Sequence, residues 1–302
     1  MLTIAVFNWL LEPLQYAFMQ RSLLVAVMVG IICAVVGSYL MVQRLALLGD
    51  AISHSLLPGL AIAFLLGINL FIGAFIAGII STVLIAWIHQ RSPVKEDAAM
   101  GIVFSAFFSL GIALITVIQR DNKIDLNHFL FGNILGVTQG EVRDTAIIAV
   151  LVLTCVALLY KELLFYSFDP LGAQASGLPV HLLNAGLMVL IAMTVVASMK
   201  AVGVILVLAL LITPGATAYL LVPRLHQVMF LGAGIGVFAS LAGMYLSFYI
   251  ERLPSGPAIV MVAFSLFILA FLFSPQYGVL TQPRQRHQGS ALWQEIKDLW
   301  RS

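Results

Sequence analysis

The chain has 302 residues, of which 62% are hydrophobic and only 9% charged, with a mean hydropathy of +1.07. So apolar a composition excludes a water-soluble domain and predicts an all-α, polytopic membrane protein. The net charge of +2 is a small excess, explained by loop lysines and arginines, and it implies no nucleic-acid surface.

Residues 1–20 lack a basic head followed by a short apolar core and a small-residue cleavage site, so insertion through the first true span is expected. Ile4, Phe7, Leu11 and Leu14 share one helical stripe, which predicts an interfacial helix over residues 3–18 lying flat on the bilayer. Apolar runs near the roughly 20 residues a crossing needs follow at 21–42, 46–66, 70–89, 98–118, 144–163, 182–199, 201–222, 227–250 and 256–274. About nine transmembrane helices are therefore expected. Eight is the alternative, because Pro58, Lys200 and Pro214-Gly215 shorten or interrupt the second, sixth and seventh runs. The chain divides into an interfacial segment 1–20, a transmembrane domain 21–275 and a cytoplasmic tail 276–302. In that tail, Leu292, Trp293, Ile296, Leu299 and Trp300 line one face of an amphipathic helix over 291–301. Cys33 and Cys155 both fall in apolar spans and are expected to pack rather than pair.

Orientation follows from the basic residues of the short loops. Arg44, Arg91, Lys95, Lys161, Arg224 and the tail's Arg284 and Arg286 fall on one side, which becomes cytoplasmic. In segment 120–143 of the other side, Arg120, Lys123 and Arg143 are offset by Asp121, Asp125, Glu141 and the adjacent Asp144.

The second run, LALLGDAISHSLLPGLAIAFLLG, carries Asp50 and His54 one helical turn apart on the same face, so both side chains reach a single ligand. An ionisable group inside the hydrocarbon costs roughly 2.5–3.5 kcal/mol on insertion scales, and such residues mark a protein interior or a water-filled path. Pro58 and Gly59 then break the run, as expected of a binding element rather than a plain lipid-facing span. One carboxylate and one imidazole make a mixed oxygen/nitrogen site suited to Mn²⁺, Fe²⁺ or Zn²⁺, without the thiolates of a tight structural zinc site. The imidazole ligates only when neutral, so protons compete with the metal.

Other polar residues fit plainer roles. Glu96 and Asp97 follow Pro93 where a helix should begin, and they complement its dipole, with contact to a cytoplasmic partner as a second reading. Asp125 and His128 sit in the external segment and are candidates for receiving an ion, against the simpler reading of a polar loop end. Gly232 and Gly236 are spaced for close helix packing.

In the loop FDPLGAQASGLPV, Asp169 suits an N-cap, Pro170 the first helical position and Gly177 the end, and Pro179 prevents continuation. A short capped helix over 169–178 is predicted, with Leu171, Ala175 and Leu178 at i, i+4 and i+7, as for docking into a groove of a soluble partner, against the plainer reading of an ordinary re-entrant turn.

Five stretches, LALLGDAISHSLLPGLAIAFLLG, KEDAAMGIVFSAFFSLGIAL, DLNHFLFGNILGV, FDPLGAQASGLPVHLLN and MKAVGVILVLALLITPGATAYLL, together resemble the integral-membrane permeases of zinc/manganese/iron-type ABC importers. The likeness runs from about residue 15 to 280. It implies a relative of the vitamin B12-type importer fold in the bacterial inner membrane, with two permease subunits around a central path. That pair would be a homodimer or a mixed pair. It also implies a cytoplasmic ABC ATPase under each subunit and an extracytoplasmic metal-binding protein that delivers the ion. By the same likeness Asp50 and His54 are the metal-coordinating pair and 169–178 is the coupling helix. The transported ion is then manganese first, zinc second and ferrous iron third, with no permanently bound cofactor.

No GxxxxGK[ST] occurs, so the chain supplies no phosphate-binding loop of its own and the energy must come from a separate ATPase. HExxH and GxSxG are absent too, which leaves a metallohydrolase remote. A proton-coupled secondary metal transporter or channel is the competing function, and it would need no capped docking helix.

Overall fold

The computed structural model describes residues 11–118, 134–275 and 277–281. Twelve α-helices are present among them: α1 (Ala17–Gln43), α2 (Ala46–Ser55), α3 (Leu57–Leu66), α4 (Leu70–Arg91), α5 (Glu96–Ile118), α6 (Gln139–Leu158), α7 (Tyr160–Phe168), α8 (Pro170–Ala175), α9 (Val180–Val202), α10 (Val204–Leu221), α11 (Leu225–Tyr249) and α12 (Ser255–Phe273). Counting α2 and α3 as one span, eight stretches are long and apolar enough to cross a membrane, and a ninth arises if the bent pair α6–α7 is one span.

The chain's breakers act unequally. Pro58 has no N–H to return to the carbonyl of His54 four residues earlier, and the second span is broken there into α2 and α3. Pro214 stays inside α10 without breaking it. The sixth and seventh spans meet at Gly203 (φ +82°), just past Lys200. The fifth span differs from the straight run expected over 144–163. It starts at Gln139 behind a capping box between Thr138 and Glu141, then bends by 70° at Leu159 into α7.

Of the interfacial helix predicted over 3–18, residues 3–10 lie outside the described residues. From Pro13 to Gln15 the chain makes a 3-10 turn, and α1 begins at Ala17. The amphipathic stretch 291–301 likewise lies outside them.

The helices form two groups joined by a third element. In the first, α1, α10, α11 and α12 pack together; in the second, α2 to α5; α9 touches both groups and α6. α1 is the most enclosed span, and α5 and α12 are the least. Tight crossings rest on glycine, as spacing predicted for Gly236. A Cβ on Gly30 of α1 would meet the backbone of Gly236 of α11 at 3.0 Å, and Gly59 and Gly73 stand so close that a Cβ on either would strike the other's carbonyl oxygen. Cys33 and Cys155 are unpaired thiols, and Cys33 Sγ lies 3.6 Å from Ser198 Oγ in the interior.

Contacts at the helix ends sort the loops by side. Gln43 at the end of α1 donates to Ser167 Oγ of α7 at 3.1 Å, and Ser274 Oγ after α12 donates to the carbonyl of Leu220 at the end of α10. Near the start of α1, Ser22 donates to the carbonyl of Ile134 at 2.7 Å, and Glu12 accepts from the Tyr249 hydroxyl at 3.3 Å. Arg44, Arg91, Lys95 and Arg224 therefore gather at the end that carries α8, and the positive-inside rule makes that end cytoplasmic.

Candidate functional site

α2 is a helix of ten residues set off on both sides. Arg44 ends α1 in a left-handed conformation (φ 61°), and Pro58 sits in the first turn of α3. Its apolar residues Leu48 and Ile52 are buried, whereas Leu47 on the opposite side is 62% exposed. Asp50 and His54 share that open side. Asp50 Oδ1 lies 3.5 Å from His54 Nε2, with the aspartate side chain 46% exposed and the imidazole 23%. Neither group is walled off.

The remaining polar side chains of α2 are already engaged. Ser53 donates to the carbonyl of Gly49 at 2.8 Å, and Ser55 to that of Ala51 at 2.6 Å. The carboxylate and the imidazole are therefore what this helix offers to a cation. Among the described residues no cluster of three His, Cys, Asp or Glu is placed to hold a metal, so Asp50 and His54 stand there as a pair without a third group of those types.

α5 frames the pair. The His54 ring meets Phe104 at 5.4 Å between centroids and Phe108 at 5.3 Å, both edge-on, while the two phenyl rings stack at 5.7 Å. One turn further on, Gly111 brings α5 against the break itself. A Cβ there would sit 2.5 Å from Leu57 Cβ and 3.0 Å from the nitrogen of Pro58. Phe104 and Phe108 were not singled out by sequence reasoning. Their i, i+4 spacing was visible, but in a span this apolar it does not tell a ring beside a ligand from a ring in the core.

The other expected residues fall as follows. Glu96 and Asp97 form the first turn of α5, where their charge suits the helix dipole. Asp125 and His128 lie outside the described residues. Asp169 caps α8 by accepting from the Gly172 N–H at 2.8 Å, with Pro170 at the first helical position. Gly177 (φ 83°) ends the element, the Leu178 N–H returning to the carbonyl of Ala173 at 3.1 Å. The helix proper thus runs Pro170–Ala175 and is shorter than the stretch 169–178. The i, i+4, i+7 stripe stops with it. Leu171 is 79% exposed and Ala175 is exposed, but Leu178 lies past the left-handed turn and packs inward on the core. Ala173 is the buried contact that seats α8.

Comparison with known proteins gives concordant results. The model of the ABC 3 transport family matches residues 15–274. The chain is similar to a manganese transport system membrane protein of Halalkalibacterium halodurans, with 48% identity covering 90% of this chain and 92% of that protein. It is 42% identical to a chelated iron transport system membrane protein of Yersinia pestis, over 89% of this chain and 90% of the relative. Among solved structures, PsaBC from Streptococcus pneumoniae in complex with Fab superposes with a TM-score of 0.80 at 38% identity, covering 92% of this chain and 98% of that one.

Proposed function

We propose, for a chain that belongs to the ABC 3 transport family, that Asp50 and His54 hand a divalent metal ion through the bilayer, with manganese first and zinc and ferrous iron after it. The chain is the multi-pass permease subunit of a bacterial ATP-driven metal importer of the inner membrane, in the all-α fold related to the vitamin B12-type importers. One observation carries the site: a carboxylate and an imidazole 3.5 Å apart, on the open side of a broken span.

A carboxylate left facing lipid would cost roughly 2.5–3.5 kcal/mol, so that open side borders water or protein. Two ligands are too few for the four positions of zinc or the six of manganese. A second permease subunit presenting its own pair across a central path raises the number to two carboxylates and two imidazoles, with water or backbone oxygen completing the shell. Such a site binds only moderately, as transport requires, because an ion held too tightly does not leave. Oxygen and nitrogen donors rank divalent metals from manganese up to copper in every protein, so discrimination falls to the extracytoplasmic capture protein and to metal supply. Relatives named for manganese and for iron accord with that division.

Energy enters at the cytoplasmic end of the molecule. The short helix α8, capped by Asp169, closed by Gly177 and bearing the exposed Leu171, is the element on which a separate cytoplasmic ATPase docks. The test is uptake in cells lacking this chain. Restoring it is expected to restore manganese accumulation above that of zinc or iron, only when the ATPase is present, and to co-purify that ATPase. Metal uptake undiminished without any ATPase would overturn the reading.

A further inference from the structure

We propose that the furrow between α1, α6 and α11 is a binding site for one anionic phospholipid of the cytoplasmic leaflet. The cavity holds about 500 Å³ and is walled by Ile31 and Val35 of α1, Val156 of α6 and Phe230 of α11. Only Tyr160 and His226 among its lining residues carry polar side chains, and both stand at the cytoplasmic end. Lys161 follows Tyr160 directly and Arg224 precedes His226 by two residues; both are exposed, and the ion pairs among the described residues involve neither. An apolar slot with a hydroxyl and an imidazole at its mouth, and an exposed lysine and arginine one and two residues along the chain from them, matches an acyl chain below a phosphate headgroup.

Its length selects a lipid over a second copy of the chain. From His226 to Ala233 the furrow follows α11 for about 10 Å, within the roughly 15 Å of one leaflet's hydrocarbon. A crossing helix from another subunit would need a seat along the whole of α11. The other furrow on that helix, about 960 Å³ against the first half of α1, is lined instead by Phe238, Leu241, Ala242 and Tyr245. Those positions lie about a third of a turn further round the helix, so the two slots do not join into one seat. Phe230 at 81% and Leu158 at 76% exposure leave the cytoplasmic slot open to the bilayer.

The mouth also coincides with the 70° break between α6 and α7, which leads directly into α8. A headgroup bound there bridges α7 to α11 and steadies the bend.

Native mass spectrometry of the purified full-length chain in mixed micelles of dioleoyl-phosphatidylglycerol and dioleoyl-phosphatidylcholine tests this. The wild type is expected to retain phosphatidylglycerol preferentially, and Lys161→Gln and Arg224→Gln each to reduce that preference about fivefold. Ala233→Trp, which fills the blind end, is expected to lower retention of both lipids. Phosphatidylglycerol should raise the Tm of the wild type but not of the Lys161→Gln/Arg224→Gln double variant, a readout that does not depend on how well Ala233→Trp folds. Equal retention of the two lipids, a preference unchanged in the charge variants, or efficient Phe230→Cys crosslinking between two copies in membranes would each overturn the proposal.

Discussion

The imidazole of His54 stands perpendicular to the ring of Phe108, 5.3 Å away between centroids, and Phe104 meets it from a second direction. Between them the two phenyl groups restrict the rotation of the histidine and leave Nε2 turned toward Asp50. Aromatic contacts of this kind contribute about 0.5–1.5 kcal/mol beyond burial. Phe108→Leu is therefore expected to raise the half-saturating metal concentration by about 2- to 12-fold with a largely retained maximal rate, and Phe108→Tyr to restore it. Concentration-dependent manganese uptake separates the two parameters; an unchanged half-saturation in Phe108→Leu would mean that the rings only fill space.

Asp50→Asn and His54→Gln test the proposed ligands themselves. Each keeps approximate size and polarity while removing a charge or an imidazole nitrogen, and both groups are partly open rather than packed in the core. Either variant is expected to lower metal-dependent uptake by at least about tenfold, since a charge-assisted contact of about 1.5–3 kcal/mol is lost from each subunit. Yield from membranes and association with the ATPase should stay at the wild-type level. Normal uptake by both variants would remove the site from α2 while leaving the family intact.

At α8, two substitutions separate surface from shape. Leu171 is 79% exposed and touches little of its own chain, so Leu171→Asp is expected to abolish ATPase co-purification without lowering Tm. Gly177 holds a φ of 83°, where a Cβ costs about 1–2 kcal/mol. Gly177→Ala should therefore loosen the end of α8 and leave ATP hydrolysis running with reduced transport, measured as phosphate released per ion accumulated.

Much of this was legible in the order of residues, because membrane spans obey a length rule and helix ends obey capping rules. Asp169, Pro170 and Gly177 announced α8, and the spacing of Asp50 and His54 announced the pair. The start of α6 was legible as well, in the Thr138-x-x-Glu141 box, but hydropathy alone moved it five residues along to 144. Hidden altogether was the approach of α5 to α2. Which of many phenylalanines faces a histidine depends on how two helices cross, and that crossing is set by Gly111, whose missing Cβ cannot be distinguished in sequence from a glycine at any other crossing. The inward turn of Leu178 was hidden for a related reason: helical periodicity was carried past the left-handed residue that cancels it.

Gly111 gives the sharpest check on that crossing. It lies three residues beyond Phe108 on α5, and an alanine there would bring its Cβ to 2.5 Å from Leu57 Cβ, a separation that real structures do not show. Either α5 moves off the break or α3 moves off α5, at a cost of about 1–3 kcal/mol. If the first happens, Phe108 is drawn away from His54 and Gly111→Ala weakens metal binding by the same route as Phe108→Leu. The double variant Phe108→Leu/Gly111→Ala should then raise half-saturation by less than the product of the two single effects, with a coupling of about 0.5 kcal/mol or more. If the two effects multiply, α5 has stayed in place, and the strain has been taken up by α3 instead.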